Sequence, residues 1–107
     1  MTPGPKPDID LNPHHLQEVM RILNIHLPDV EARVFGSRAK WTAKPFSDLD
    51  LVLMTKRPLT LDEDARLREA FDESTLPIKV DIVDWAGAPQ KFREAISAGS
   101  VLIQNAK

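Results

Sequence analysis

Asp48 and Asp50 stand at the head of an apolar run, Ser47-Asp48-Leu49-Asp50-Leu51-Val52-Leu53-Met54. Burying one unpaired carboxylate is costly, and two close together also repel. Side chains alternate along a strand, so the two acids project to one face while Leu49, Leu51 and Leu53 fill the other. The chain must therefore bury one face of this segment and bring the head of the other face to a surface. That requirement admits a sheet with a covered face and an acidic corner, and little else.

The flanking pattern supplies the covering layers. Asn12 is a good N-cap and Pro13 suits a first helical position. After them Leu16, Val19, Met20, Leu23 and Leu27 recur at helical spacing, up to a break at Pro28-Asp29. Residues 30–35 read as a strand, with Val30, Ala32 and Val34 alternating against Glu31, Arg33 and Phe35, and Gly36-Ser37 interrupts it. Residues 38–47 form a polar loop with room for a helical turn, followed by the second strand over 48–54. Thr60 and Glu63 make a capping-box pattern for a helix over about 60–74, with Leu67, Ala70 and Phe71 inward. A third strand follows Pro77 in Ile78-Lys79-Val80-Asp81-Ile82-Val83-Asp84-Trp85. Pro89 opens another helix that turns Phe92, Ala95 and Ile96 inward and stops at Gly99. The final Ser100-Val101-Leu102-Ile103-Gln104 is an edge strand or a packed tail. Helices separating strands predict a layered α/β domain with a small mixed sheet.

At 107 residues the chain fits one domain. The Pro-rich start, residues 1–11, reads as a flexible lead and 12–107 as the domain. It has no apolar stretch of signal-peptide type, and no run is long enough to span a membrane. The chain has no cysteine, which excludes disulfides and thiolate metal sites and fits a reducing cytoplasm. A net charge of -2 argues against a constitutive nucleic-acid binder. Arg33, Arg38, Lys40 and Lys44 nevertheless place four cations just ahead of the acidic pair. His14, His15 and His26 lack the spacing of a metal site.

A third acid, Asp81, lies inside another apolar β-like run. If the second and third strands are neighbours, three carboxylates meet on one patch, a hard-oxygen site suited to Mg²⁺. Ahead of the acids, Gly36 lets the backbone approach a ligand closely, and the Ser37 hydroxyl with nearby N–H groups can donate to phosphate oxygens. Arg38 and Lys44 can neutralise further phosphate charge. A lone Gly-Ser pair or a lone D-x-D is weak; Gly-Ser, ten residues, D-x-D and a downstream strand Asp form a specific combination.

The stretch Gly36 to Leu51, GSRAKWTAKPFSDLDL, resembles the G-S-x(10)-D-x-D signature of the nucleotidyltransferase superfamily related to DNA polymerase β, and most of all its minimal nucleotidyltransferase (MNT) group. The resemblance is close over residues 30–84 and looser elsewhere; Trp41 stands where many members carry Gly. It implies the nucleotidyltransferase fold, outer NTP phosphates on Gly36 and Ser37, two metal ions on Asp48 and Asp50, and Asp81 as the third acid. Asp84, at the strand end and on the other side of the alternation, is the weaker candidate. The implied reaction is transfer of a nucleoside monophosphate, AMP from ATP, to a hydroxyl with Mg²⁺. The chain is too small to carry its own acceptor-binding domain, so the acceptor arrives in trans. The resemblance implies a helical HEPN toxin as that partner, in a hetero-oligomeric toxin–antitoxin pair. A binding-only antitoxin and an aminoglycoside-type small-molecule transferase are the alternatives.

Overall fold

The computed structural model describes residues 9–106. Of the expected lead, residues 1–8 lie outside the described residues, whereas Ile9 and Leu11 are buried among the core side chains. The flexible reading of 9–11 is thus corrected: Ile9 and Leu11 alternate with polar neighbours and insert two apolar anchors into the domain.

The first helix, α1 (Pro13–His26), starts where Asn12 accepts the His14 N–H on its side chain. Its stripe centres on Val19 and Leu23, so Ile22 is buried with them and Met20 lies beyond the margin, partly exposed. Strand β1 (Ala32–Phe35) is two residues shorter than its alternation suggested. The one-turn helix α2 (Ser37–Lys40) follows directly, and then β2 (Leu49–Leu53). Helix α3 (Leu61–Asp72) carries the reciprocal Thr60–Glu63 capping box, which satisfies two helix-end donors at once. The remaining elements are β3 (Val80–Asp84), α4 (Gln90–Ala98) and β4 (Ser100–Gln104). Among the described residues, no helix is long and apolar enough to cross a membrane.

The sheet order is β3-β2-β1-β4. Strand β1 runs antiparallel to both β2 and β4, while β2 and β3 are parallel, joined by α3. The last segment is therefore an edge strand, and Gln104 fastens its end by donating from Nε2 to the carbonyls of Leu27 and Val30, both at 2.8 Å.

Both sheet faces are covered, by different elements. Leu49, Leu51 and Leu53, each at 0% exposure, pack with Val34, Ile82 and the buried sides of α1 and α3. On the opposite face Phe35, Val52 and Ile96 form a second cluster under α4, with Phe92, Ala95, Val83 and Trp85 around it. An apolar run alternating inside a doubly covered sheet explains why Val52, on the acids' side, is as buried as its neighbours.

Candidate active site

The acids emerge where β2 and β3 begin, beside the end of β1. Register pairing sets Asp50 opposite Asp81 on the parallel neighbour and opposite Phe35 on the antiparallel one. Partners across a ladder share a face. Asp50 and Asp81 are therefore on the same side of the sheet, with Gly36 directly past Phe35. The neighbour relation of the second and third strands, left open by the sequence, is the one that brings the acids together.

Their charges interact. Asp50 is half-buried, and burial first, then the charges of Asp81 and Asp48, push its carboxyl above the ordinary carboxylate range. Asp48, just ahead of the strand, is exposed, and Asp81 has Lys79 Nζ at 3.4 Å. The three groups share a field without being clasped: among the described residues, no three carboxylate or imidazole groups are drawn together as a closed ligand set. The donors are all carboxylate oxygens, the chemistry a hard divalent cation takes, and Mg²⁺ commonly uses only one or two of them with water and phosphate completing its shell.

Gly36 is tied to this corner by space and by conformation. Its φ is +74°, and a Cβ built there would collide with Asp50 Oδ2. Only glycine lets the turn and the acid approach so closely. From it the chain enters α2, whose first carbonyls are taken at once: Gly36 O accepts the N–H of Ala39 and Lys40, and Ser37 O that of Thr42. Trp41 ends α2 in the left-handed region at φ 60°, a conformation that favours glycine.

Arg38, expected beside Gly36 and Ser37 to meet phosphate, is directed elsewhere. It is only 6% exposed. Its Nε and Nη2 donate to Ser47 O at 3.2 and 2.9 Å, Nη2 to Pro45 O at 3.3 Å, and Nη1 to Asp10 O at 2.7 Å. Lys44 is exposed, and its backbone N–H donates to Ser47 Oγ at 2.9 Å. Asp84 is held by structural work, accepting the Leu59 N–H at 2.8 Å and the Gly87 N–H at 3.0 Å.

A mixed sheet with a Gly-Ser turn packed against strand-borne acids defines a nucleotidyltransferase, and the chain belongs to the family described as Polymerase beta, Nucleotidyltransferase, matched over residues 17–107. It is similar to the probable protein adenylyltransferase MntA of Haemophilus influenzae, with 44% identity over 96 residues covering 90% of this chain and 84% of that protein. Among solved structures, a toxin–antitoxin complex with AMP-PNP aligns with a TM-score of 0.71 at 19% identity, over 86% of this chain and 74% of that one. The complex of tri-AMPylated Shewanella oneidensis HEPN toxin with MNT antitoxin aligns at 0.58 and 16% identity, over 87% and 71%. At those identities the two structures share the fold.

Proposed function

We propose that this chain transfers AMP from ATP to a hydroxyl of a HEPN-type helical toxin and thereby acts as the antitoxin of a HEPN/MNT pair. The observation that carries the reading is the 44% identity to a probable protein adenylyltransferase, over 90% of the chain and so across the whole stretch from Gly36 to Asp81. The AMPylated toxin in the second structural relative supports the direction of transfer. A net charge of -2 suits a protein acceptor better than bare nucleic acid.

In this reading Gly36 and Ser37 hold the outer phosphates of ATP, with Lys44 offsetting their charge. Asp48, Asp50 and Asp81 would hold Mg²⁺, two ions being expected, and the bound metal supplies charge stabilisation at the transferring phosphoryl group and a more acidic acceptor hydroxyl. Asp81, the third acid, would either share in holding the metal or take the proton of the acceptor hydroxyl. The new bond joins that oxygen to the α-phosphorus, the bond to pyrophosphate breaks, and pyrophosphate leaves with the electron pair. The protein contributes position and a fixed field.

The test is incubation with α-labelled ATP, Mg²⁺ and the helical partner, followed by mass spectrometry of the partner. AMP adducts are expected with the wild-type chain and none with D48N/D50N. If the double variant neutralises the toxin fully while binding it equally well, the chain is a binding-only antitoxin. Label on an aminoglycoside and none on the partner overturns the protein acceptor.

A further inference from the structure

The Arg38 guanidinium is buried and surrounded by backbone oxygens. Guanidinium offers five N–H donors in one plane and cannot shed its charge. A buried charge without a carboxylate is expensive unless well-placed acceptors surround it. Here three carbonyls do so, and they come from two separate segments: Asp10, and the Pro45 and Ser47 pair. The Asp10 tie is reciprocal, since the Asp10 N–H donates to Arg38 O at 2.7 Å.

The positions of those carbonyls in the chain matter. Arg38 follows Ser37, the last residue of the phosphate turn, and Ser47 precedes Asp48, the first of the acids. Between them, 42–47 is a loop closed on itself by Ser47 N–H donating to Lys44 O at 3.0 Å and Lys44 N–H to Ser47 Oγ. These local bonds shape the turn but do not tie its far end to α2. The guanidinium does, gripping the backbone on both sides of Phe46, which projects outward at 88% exposure.

We propose that Arg38 is a positioning residue of the transfer site, a buried guanidinium clamp that fixes the Asp48–Asp50 segment relative to the Gly36–Ser37 turn. The inference rests on the AMP-transfer reading for its activity readout and on geometry for its conformational one. A phosphate ligand at this position would govern nucleotide affinity. A positioning residue governs turnover, because displacing reacting groups by about 1 Å can cost ~100-fold in rate while leaving binding largely intact.

The experiment compares wild type, R38M, R38A and R38K in AMP transfer to the helical partner, in ATP affinity by calorimetry with Mg²⁺, and in amide hydrogen exchange. For R38M the expected result is a kcat lowered by roughly 10–100-fold with an ATP Kd within about threefold. Exchange should quicken over 42–50 while β1 and β4 keep their protection. In R38A, whose truncated side chain leaves room for it, guanidinium ion at low millimolar concentration should restore both turnover and protection, and methylammonium at the same concentration neither. R38K, with one ammonium in place of the fork, should fall between the two and serves as the test if R38M does not fold. An ATP Kd that weakens in step with activity overturns the proposal in favour of a phosphate contact. Unchanged exchange over 42–50, or a loss of protection spread evenly over the sheet, overturns it as well. If wild type itself transfers no AMP, the functional reading falls, and local exchange with its guanidinium rescue still decides the role of Arg38.

Discussion

Replacing Asp50 by Asn should stabilise the fold in the absence of metal while abolishing transfer. Asp50 and Asp81 face each other across parallel strands, and neighbouring strands lie about 4.8 Å apart. Two unit charges about 5 Å apart repel by ~0.8 kcal/mol in water and ~3 kcal/mol at an effective dielectric of 20. The Asp81 side chain is 41% exposed and has Lys79 beside it, so the lower figure governs. With Asp48 as a second repelling neighbour, D50N should gain on the order of 1 kcal/mol, raising Tm by about 4–8 °C in EDTA for a domain near this size. The pH dependence has a definite sign. Folding raises the carboxyl above its ordinary 3.8, so the folded state binds more protons in that window. Stability is therefore greatest below the ordinary value and falls as pH rises through the folded one; D50N lacks that decline. A double-mutant cycle with D81N isolates the pair: each change relieves the same repulsion, so the double variant should gain less than the sum by ~1 kcal/mol. Mg²⁺ at ten times its Kd should stabilise wild type by ~1.4 kcal/mol and leave D50N unmoved. Strict additivity in the cycle, or a D50N melting point at or below wild type in EDTA, would refute the convergence of these charges.

Gly36→Ala forces a side chain into a left-handed backbone and against Asp50. It should cost about 1–3 kcal/mol by denaturant titration and depress AMP transfer further than stability alone accounts for; wild-type turnover would remove Gly36 from the site. Asp84→Ala leaves the Leu59 and Gly87 N–H groups without their acceptor, and a loss of ~1–3 kcal/mol is expected with ATP affinity unchanged, a combination that calorimetry and thermal melts resolve. Glu63 is held below its ordinary 4.5, chiefly by the backbone hydrogen bond at Thr60, so its contribution is present above that value and lost as pH falls through the folded pKa. Glu63→Gln keeps an acceptor without the charge, and the melting curve should lose part of its acid-side slope; an unchanged slope would contradict the assignment.

The parts of the fold legible in the chain were those whose signal lies in the side chains. β2 announced itself because three leucines alternate with two acids, a pattern that only a strand with one buried face tolerates. The capping box at Thr60 and Glu63 and the α4 start at Pro89 were equally readable, since those residues act on the nearest backbone. Strand adjacency was not, because nothing in Val80–Asp84 states which neighbour it will pair with; the Asp50–Asp81 juxtaposition is a product of topology. Ile9 and Leu11 were hidden by the Pro-rich composition around them, though their alternation with Asp8 and Asp10 carries the same strand-like rhythm as Asp48 to Leu51. Arg38 was hidden more deeply. Its partners are carbonyl oxygens, which every residue has, so no residue type at 10, 45 or 47 could have betrayed the contact.

That concealment bears on how the acidic corner is held. The Asp50 backbone is fixed by the ladder to Phe35 and Asp81, and its flanks by leucines with no exposed surface on the opposite face. These restraints set the strand but stop at Leu49, one residue short of Asp48. The turn beyond Phe35 has the converse difficulty, since Gly36 is needed there for space and conformation and glycine supplies no side chain to anchor itself. A mobile turn beside a half-fixed acid pair would leave the two halves of the proposed site drifting independently. The only described side chain that spans from α2 to the backbone just ahead of Asp48 with several hydrogen bonds is Arg38, and it sits under the loop, away from solvent. Its planar fork grips two carbonyls of one turn and a third from another segment at once, which no apolar side chain of similar volume can do. In this chain the ten residues between Gly-Ser and D-x-D hold one helical turn, the Arg38 contacts and a closed loop, which together return the backbone to the sheet at Leu49.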